Sequence, residues 1–287
     1  MHASAGSSAG AGADSTAEAL VAGLYVYPVK SCRGIAVRQA RLGERGLDHD
    51  REWMIVDADG RFLTQREVPR LALVSVALSA SELELSVPGL APLAMALDAS
   101  GPTRSVTVWS DVVHAIDQGE CAAQWLSTWL GRPARLVRFD PKGYRACNPV
   151  YTGDTGAHTG FADAYPLLVL SEASLADLNA RLANPLPMNR FRPNLVLSGI
   201  EAYDEDFIDQ VHVGQIMLKL VKPCTRCRIT TTDQSTGEVG IEPLPTLARY
   251  RQDTQLEGVT FGTNAIILAG TGALISVGAR ASCRFKF

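Results

Sequence analysis

EWMIVDADGRFLTQ, residues 52–65, carries two short apolar runs on either side of Asp59-Gly60. An Asp-Gly pair takes the positive backbone angles of a tight turn at little steric cost, so this stretch predicts a β-hairpin. The same pattern extends outward. LYVYPVKS (24–31) opens a strand, ALVSVALSASELELSV (72–87) alternates on both sides of a Ser-Ala-Ser-Glu turn, and SVTVWSDVVHAID (105–117) reads as two more short strands. Strands at this spacing, with no helix between them, predict a small barrel or sandwich.

At ECAAQWLSTWLGRP (120–133) the period changes. Ala122, Trp125, Leu126, Trp129 and Leu130 share one helical face, and Gly131 with Pro133 ends it. ARLVRFD (134–140) returns to strand, followed by a polar, Gly-rich loop over 141–160. Loops that long usually serve a function or move. YPLLVLS (165–171) reads as a buried strand, and SLADLNARL (174–182) as a helix with a capping-box start at Ser174 and Asp177. FRPNLVLSG, VHVGQIMLKLVKP, CRITTTD (227–233), TNAIILAG and ALISVGARASCRF follow with strand patterns. The expected fold is mainly β with a few short helices, in two consecutive β-barrel-like domains.

The 287 residues are 46% hydrophobic and 20% charged, with a net charge of -3. That composition is globular and gives no electrostatic reason to expect nucleic acid or an acidic membrane as partner. No run approaches the roughly 20 apolar residues of a membrane span. Residues 1–20 are mostly Ala, Gly and Ser, without the basic and apolar regions of a secretory signal, and are expected to form a disordered leader. Six dispersed cysteines do not resemble a disulfide scaffold, so a reducing, cytoplasmic setting is expected.

VKPCTRC (221–227) sets Cys224 and Cys227 three positions apart. A structural zinc site needs a second close pair of Cys or His, and the other candidates form none. A redox dithiol belongs at a helix start, whereas the β-branched run after Cys227 argues for a strand. A thiolate binding one soft metal within a larger cofactor is the third possibility, and it calls for cations to hold the cofactor's anionic group. Lys222, Arg226, Arg228, Arg190 and Arg192 are close in sequence. Solvated surface charge accounts for the same residues, and pattern alone leaves the choice open.

YPVKSCRG (27–34), GLDHDREWMIVDADGRFLTQRE (46–67), LSEASLADLN (170–179), FRPN (191–194), KPCTRCRITTTDQSTGE (222–238) and LARYR (247–251) together resemble the MOSC-domain proteins, in their amidoxime- and N-hydroxyl-reducing branch. The resemblance implies an N-terminal MOSC β-barrel domain over 21–135 and a MOSC domain over 136–287. It also implies a molybdenum cofactor, with no place for pyridoxal phosphate. Cys227 is the matched metal ligand and catalytic residue, and Cys224 an accessory. Lys30, Ser31, Arg51, Arg192, Asn194, Thr225 and Arg226 match cofactor contacts, with Thr64, Arg66 and Asp163 as weaker candidates that serve equally well as structural hydrogen-bonders. The implied reaction reduces N–OH to N–H plus water on a small-molecule substrate. Electrons would come from a separate donor protein of flavin reductase, ferredoxin or cytochrome type. Two other readings stay open: a sulfur-transfer module carrying a persulfide on Cys227, and a non-catalytic cofactor carrier.

Overall fold

The computed structural model describes residues 16–286. The leader expected over 1–20 therefore falls largely outside the described residues. Its last five residues already belong to the strand Thr16–Val26.

That strand is a stave of a closed seven-stranded barrel. The cyclic order is Leu167–Ser171, Leu195–Ser198, Thr16–Val26, Arg280–Phe285, Ile208–Val213, Ile216–Thr225 and Gly258–Ala269, which pairs back with Leu167–Ser171. All neighbours are antiparallel except Leu167–Ser171 and Leu195–Ser198, which run parallel through Val169↔Leu195. Closure leaves no unpaired edge. Inward residues such as Val21, Leu24, Leu197, Val211, Leu218 and Ala265 fill one apolar core. The sequence boundary at 135/136 is thus crossed in space, because the chain's first strand lies between strands from its C-terminal half.

The intervening residues build the other unit. Trp53–Val56, Arg135–Phe139, Asp111–Asp117 and Thr103–Val108 form a four-stranded sheet in that order. Ser75–Leu78, Glu82–Ser86 and Leu93–Ala96 form a three-stranded one. The helix Glu120–Leu130 buries Ala122, Leu126 and Trp129 against them and ends at Gly131, whose φ of 70° is the left-handed cap expected there. The Asp59-Gly60 hairpin forms as the sequence predicts. Asp57 Oδ1 accepts from the amides of Asp59 and Arg61, and Gly60 has φ 77°. Its return arm pairs only briefly, through the Val56–Phe62 bridge and Leu63 N to the Ile55 carbonyl at 2.8 Å, because the same edge also takes Pro28 and Lys30 at Trp53.

Three local expectations change. The 141–160 loop contains a short helix, Pro149–Thr152, capped by Asn148, and an isolated bridge between Ala146 and His158. The helix expected from Ser174 starts three residues earlier. It runs Glu172–Ala180 with Ser171 as N-cap, whose Oγ accepts from the Ser174 amide at 3.0 Å. Ser174 instead holds the Tyr203 amide, at 2.8 Å. Ser171→Ala is expected to cost about 1–2 kcal/mol in urea unfolding, since it orphans a buried helix-end amide. Finally, CRITTTD is no strand: Arg228–Thr231 is a 3-10 turn. Thr230 and Thr231 hydroxyls donate back to the carbonyls of Cys227 and Arg228 at 2.9 and 2.8 Å, which favours the turn over a ladder. Among the described residues no helix is long and apolar enough to cross a membrane.

Candidate active site

A cleft of about 460 Å³ opens where the barrel meets the four-stranded unit. Lys30, Ser31, Arg51, Arg192, Asn194, Thr225, Arg226 and Cys227 all line it, together with Thr64, Arg66 and Asp163. Residues from both ends of the chain, Lys30 to Asn264, therefore converge on one concavity. Arg190, Lys222 and Arg228, which sequence proximity grouped with them, do not line it. Arg190 turns away to Asp233 at 2.7 Å, Lys222 lies over the Tyr151 ring, and Arg228 is exposed.

Five cations line the cleft against two carboxylates, Asp163 and Glu257, in a protein whose net charge is -3. Arg51 donates to Asp50 at 2.6 Å, to Asn194 Oδ1 at 3.0 Å and to the Arg192 carbonyl at 3.1 Å. Arg192 donates to the Cys32 carbonyl at 2.7 Å. Both guanidinium groups lie over the Tyr27 ring, 4.2 and 4.3 Å from its centroid. Burial, and then the neighbouring Arg51 charge, draw the Arg192 pKa down to about 10. A desolvated guanidinium beside a second positive charge would be relieved by a bound anion. Burial likewise lowers the Lys30 pKa, opposed by Asp163. The surrounding protein raises the Asp163 pKa, but the Lys30 ammonium overrides it and holds this carboxyl well below the usual carboxylate range, although the side chain itself is exposed.

Backbone strain gathers here too. Of the seven described non-glycine residues with positive φ, five line the cleft: Ser31, Arg51, Trp109, Arg192 and Glu257. Such conformations cost roughly 1–3 kcal/mol each and concentrate at functional sites.

The two thiols are not equivalent. Cys224 is the penultimate residue of the Ile216–Thr225 strand and accepts from Arg226 Nη1 at 2.9 Å. Cys227 sits at the start of the 3-10 turn, and its sulfur makes no hydrogen bond among the described residues. Arg226 Nη2 holds the Phe191 carbonyl at 2.7 Å, while its Nε is buried without a partner. Asn194 is committed to the protein: its Oδ1 also accepts from the Leu168 amide, and its amide group donates to the Tyr25 carbonyl at 3.2 Å. It also aims Arg51, through the acceptor contact at 3.0 Å.

Sequence reasoning missed Tyr27 and Trp109. Tyr27 is 1% exposed, is backed by Gly34, where a Cβ would stand 2.3 Å from its ring, and has a hydroxyl without a partner. Tyr27→Phe is therefore expected to match or exceed the wild-type urea midpoint, because an unmade buried hydrogen bond costs about 1–3 kcal/mol. Trp109 occupies the two-residue turn between Thr103–Val108 and Asp111–Asp117, with φ 57° and Arg66 stacked on its ring at 4.3 Å. An aromatic in so tight a turn was the available signal.

This architecture, a closed β-barrel sharing a cationic, thiol-bearing cleft with a second β unit, defines a MOSC-type protein. Residues 18–133 match the MOSC N-terminal beta barrel domain and residues 156–281 the MOSC domain. The chain is 38% identical over 260 residues to the human mitochondrial amidoxime-reducing component 1, covering 86% of this chain and 76% of that protein. It is 37% identical over 243 residues to the rat mitochondrial amidoxime reducing component 2, covering 80% and 72%. The chain belongs to this amidoxime-reducing, MOSC-domain family of oxidoreductases.

Proposed function

We propose that the protein is a molybdenum cofactor-dependent reductase of N-hydroxylated compounds, converting N–OH, two electrons and two protons to N–H and water. The observation that carries this reading is the convergence of an unpartnered thiol, Cys227, with Lys30, Arg51, Arg66, Arg192 and Arg226 in one cleft. The names of the relatives support the reduction.

The residues present fit the cofactor. Among the described residues no three His, Cys, Asp or Glu side chains gather to hold a metal, so a metal at Cys227 would take its remaining ligands from a cofactor. The orphaned Arg226 Nε and the mutually repelling Arg51 and Arg192 suit an anionic group, for which planar guanidinium forks are well shaped. When bound, the cofactor supplies two-electron redox chemistry at a soft metal centre. The chain's own part is to hold and orient. Cys227 would ligate as the thiolate, with Arg226 and Thr225 beside it. Lys30, Ser31, Arg51 and Arg192 would bind the anionic end, with Asn194 aiming Arg51.

Electrons would come from a separate donor protein of flavin reductase, ferredoxin or cytochrome type. A cytoplasmic setting is part of the same proposal, supported by six cysteines that all stand unpaired. The test is metal and pterin content of protein from a cofactor-competent host, with amidoxime reduction by an artificial donor. Stoichiometric molybdenum with turnover is the expected result. Labile sulfane sulfur on Cys227 without molybdenum would instead indicate sulfur transfer, and molybdenum without turnover under any donor a carrier.

A further inference from the structure

Ala162, Asp163 and Ala164 line one wall of the cleft, and the segment 160–164 that carries them belongs to no strand. Without a ladder, their backbone needs other partners. Four consecutive carbonyls find them on two buried cations from distant parts of the chain. Arg145 Nη1 donates to the Gly160 and Ala162 carbonyls at 3.2 and 2.6 Å, and its Nη2 to the Asp163 carbonyl at 2.9 Å. Lys30 Nζ takes the remaining one, Phe161, at 2.7 Å, and also the Asp163 carboxylate. Arg145 is 8% exposed and does not itself line the cleft. Its Nε donates to Asp111 Oδ2 at 2.6 Å, on the strand that follows the Trp109 turn. Trp109 in turn donates from Nε1 to Asp163 Oδ1 at 3.2 Å. One guanidinium behind the wall thus ties three wall carbonyls to the hairpin that bears Trp109.

We propose that Arg145 is a positioning residue that sets this wall, and through it the placement of Asp163 and Trp109 in the cleft. Its planar fork is what the task requires: one side chain reaches three carbonyls and a carboxylate in fixed directions, which a lysine ammonium does not reproduce. Lys30 feels the same arrangement, since the Arg145 charge adds to the lowering of its pKa by burial. The 141–160 loop, expected from its length to shape access, would do so through this one buried residue rather than through movement. The consequence for turnover rests on the proposed reductase reading; the consequence for the wall does not.

The test uses full-length protein carrying 5-fluorotryptophan at its four tryptophans, with variants Arg145→Lys, Arg145→Met and Asp111→Asn. The expected fluorine spectrum shows the Trp109 resonance displaced in Arg145→Lys, while Trp53, Trp125 and Trp129 keep their wild-type shifts. Should Arg145→Met lose all four native shifts by failing to fold, Arg145→Lys and Asp111→Asn decide. A Trp109 resonance at its wild-type position in both would overturn the proposal. In the loaded enzyme, Arg145→Lys is expected to raise KM about tenfold with kcat held within about threefold, as for a displaced binding wall. An unchanged KM with lowered kcat would contradict the positioning role. Wild-type protein inert toward every N-hydroxylated compound would overturn the reductase reading and leave the spectroscopic result standing.

Discussion

Cys227→Ser is expected to lose molybdenum and, with it, reductase turnover by at least about a hundredfold, because a hydroxyl is a hard and weakly acidic replacement for a soft thiolate. Its neighbour should behave differently. Cys224 already spends its sulfur on Arg226 Nη1, and a serine hydroxyl accepts the same hydrogen bond. Cys224→Ser should therefore keep molybdenum content and turnover within about threefold. Metal analysis and amidoxime reduction on the two variants side by side form the measurement. Full activity without Cys227 would remove the ligand assignment, and equal loss in both variants would mean that the thiols act as a pair.

The second large effect concerns charge. Arg192→Met removes a guanidinium held over Tyr27 and against the Cys32 carbonyl. A hydrogen bond to a charged group contributes about 1.5–3 kcal/mol, so pterin retained after gel filtration is expected to reflect an affinity about ten- to a hundredfold weaker. Arg192→Lys should recover part of this, as a point charge without the fork. Arg228→Met, on an exposed side chain outside the cleft, serves as the control and should retain wild-type pterin. Equal losses in Arg192→Met and Arg228→Met would show that overall charge, rather than the clamp, holds the cofactor.

How much of this was legible in the sequence varied by element. The Asp59-Gly60 hairpin and the helix ended by Gly131 were readable because their determinants are local: a turn dipeptide, a 3.6-residue period, a left-handed cap. The helix start at Ser171 and the turn at Arg228–Thr231 were not. Ser and Thr hydroxyls had two or more backbone partners within reach, and burial decided which they took. The candidate site divided similarly. Cys227, Lys30, Arg51 and Arg192 were found through a resemblance spread over the chain, and all of them line the cleft. Arg190 and Arg228 sat just as near in sequence and face elsewhere.

The amino-acid sequence on its own determined the mainly β character, the hairpins, the change of period at residue 120, and the family whose motifs this chain carries. Only the tertiary structure decided that Thr16–Val26 closes a barrel with strands from the C-terminal half, that Tyr27 lies beneath two guanidinium groups, and that Arg145 stands behind the wall at 160–164. The physical reason is range. Turn and helix preferences act over a few residues, whereas barrel closure, cation clustering and backbone carbonyls held by a distant guanidinium exist only after remote segments have packed.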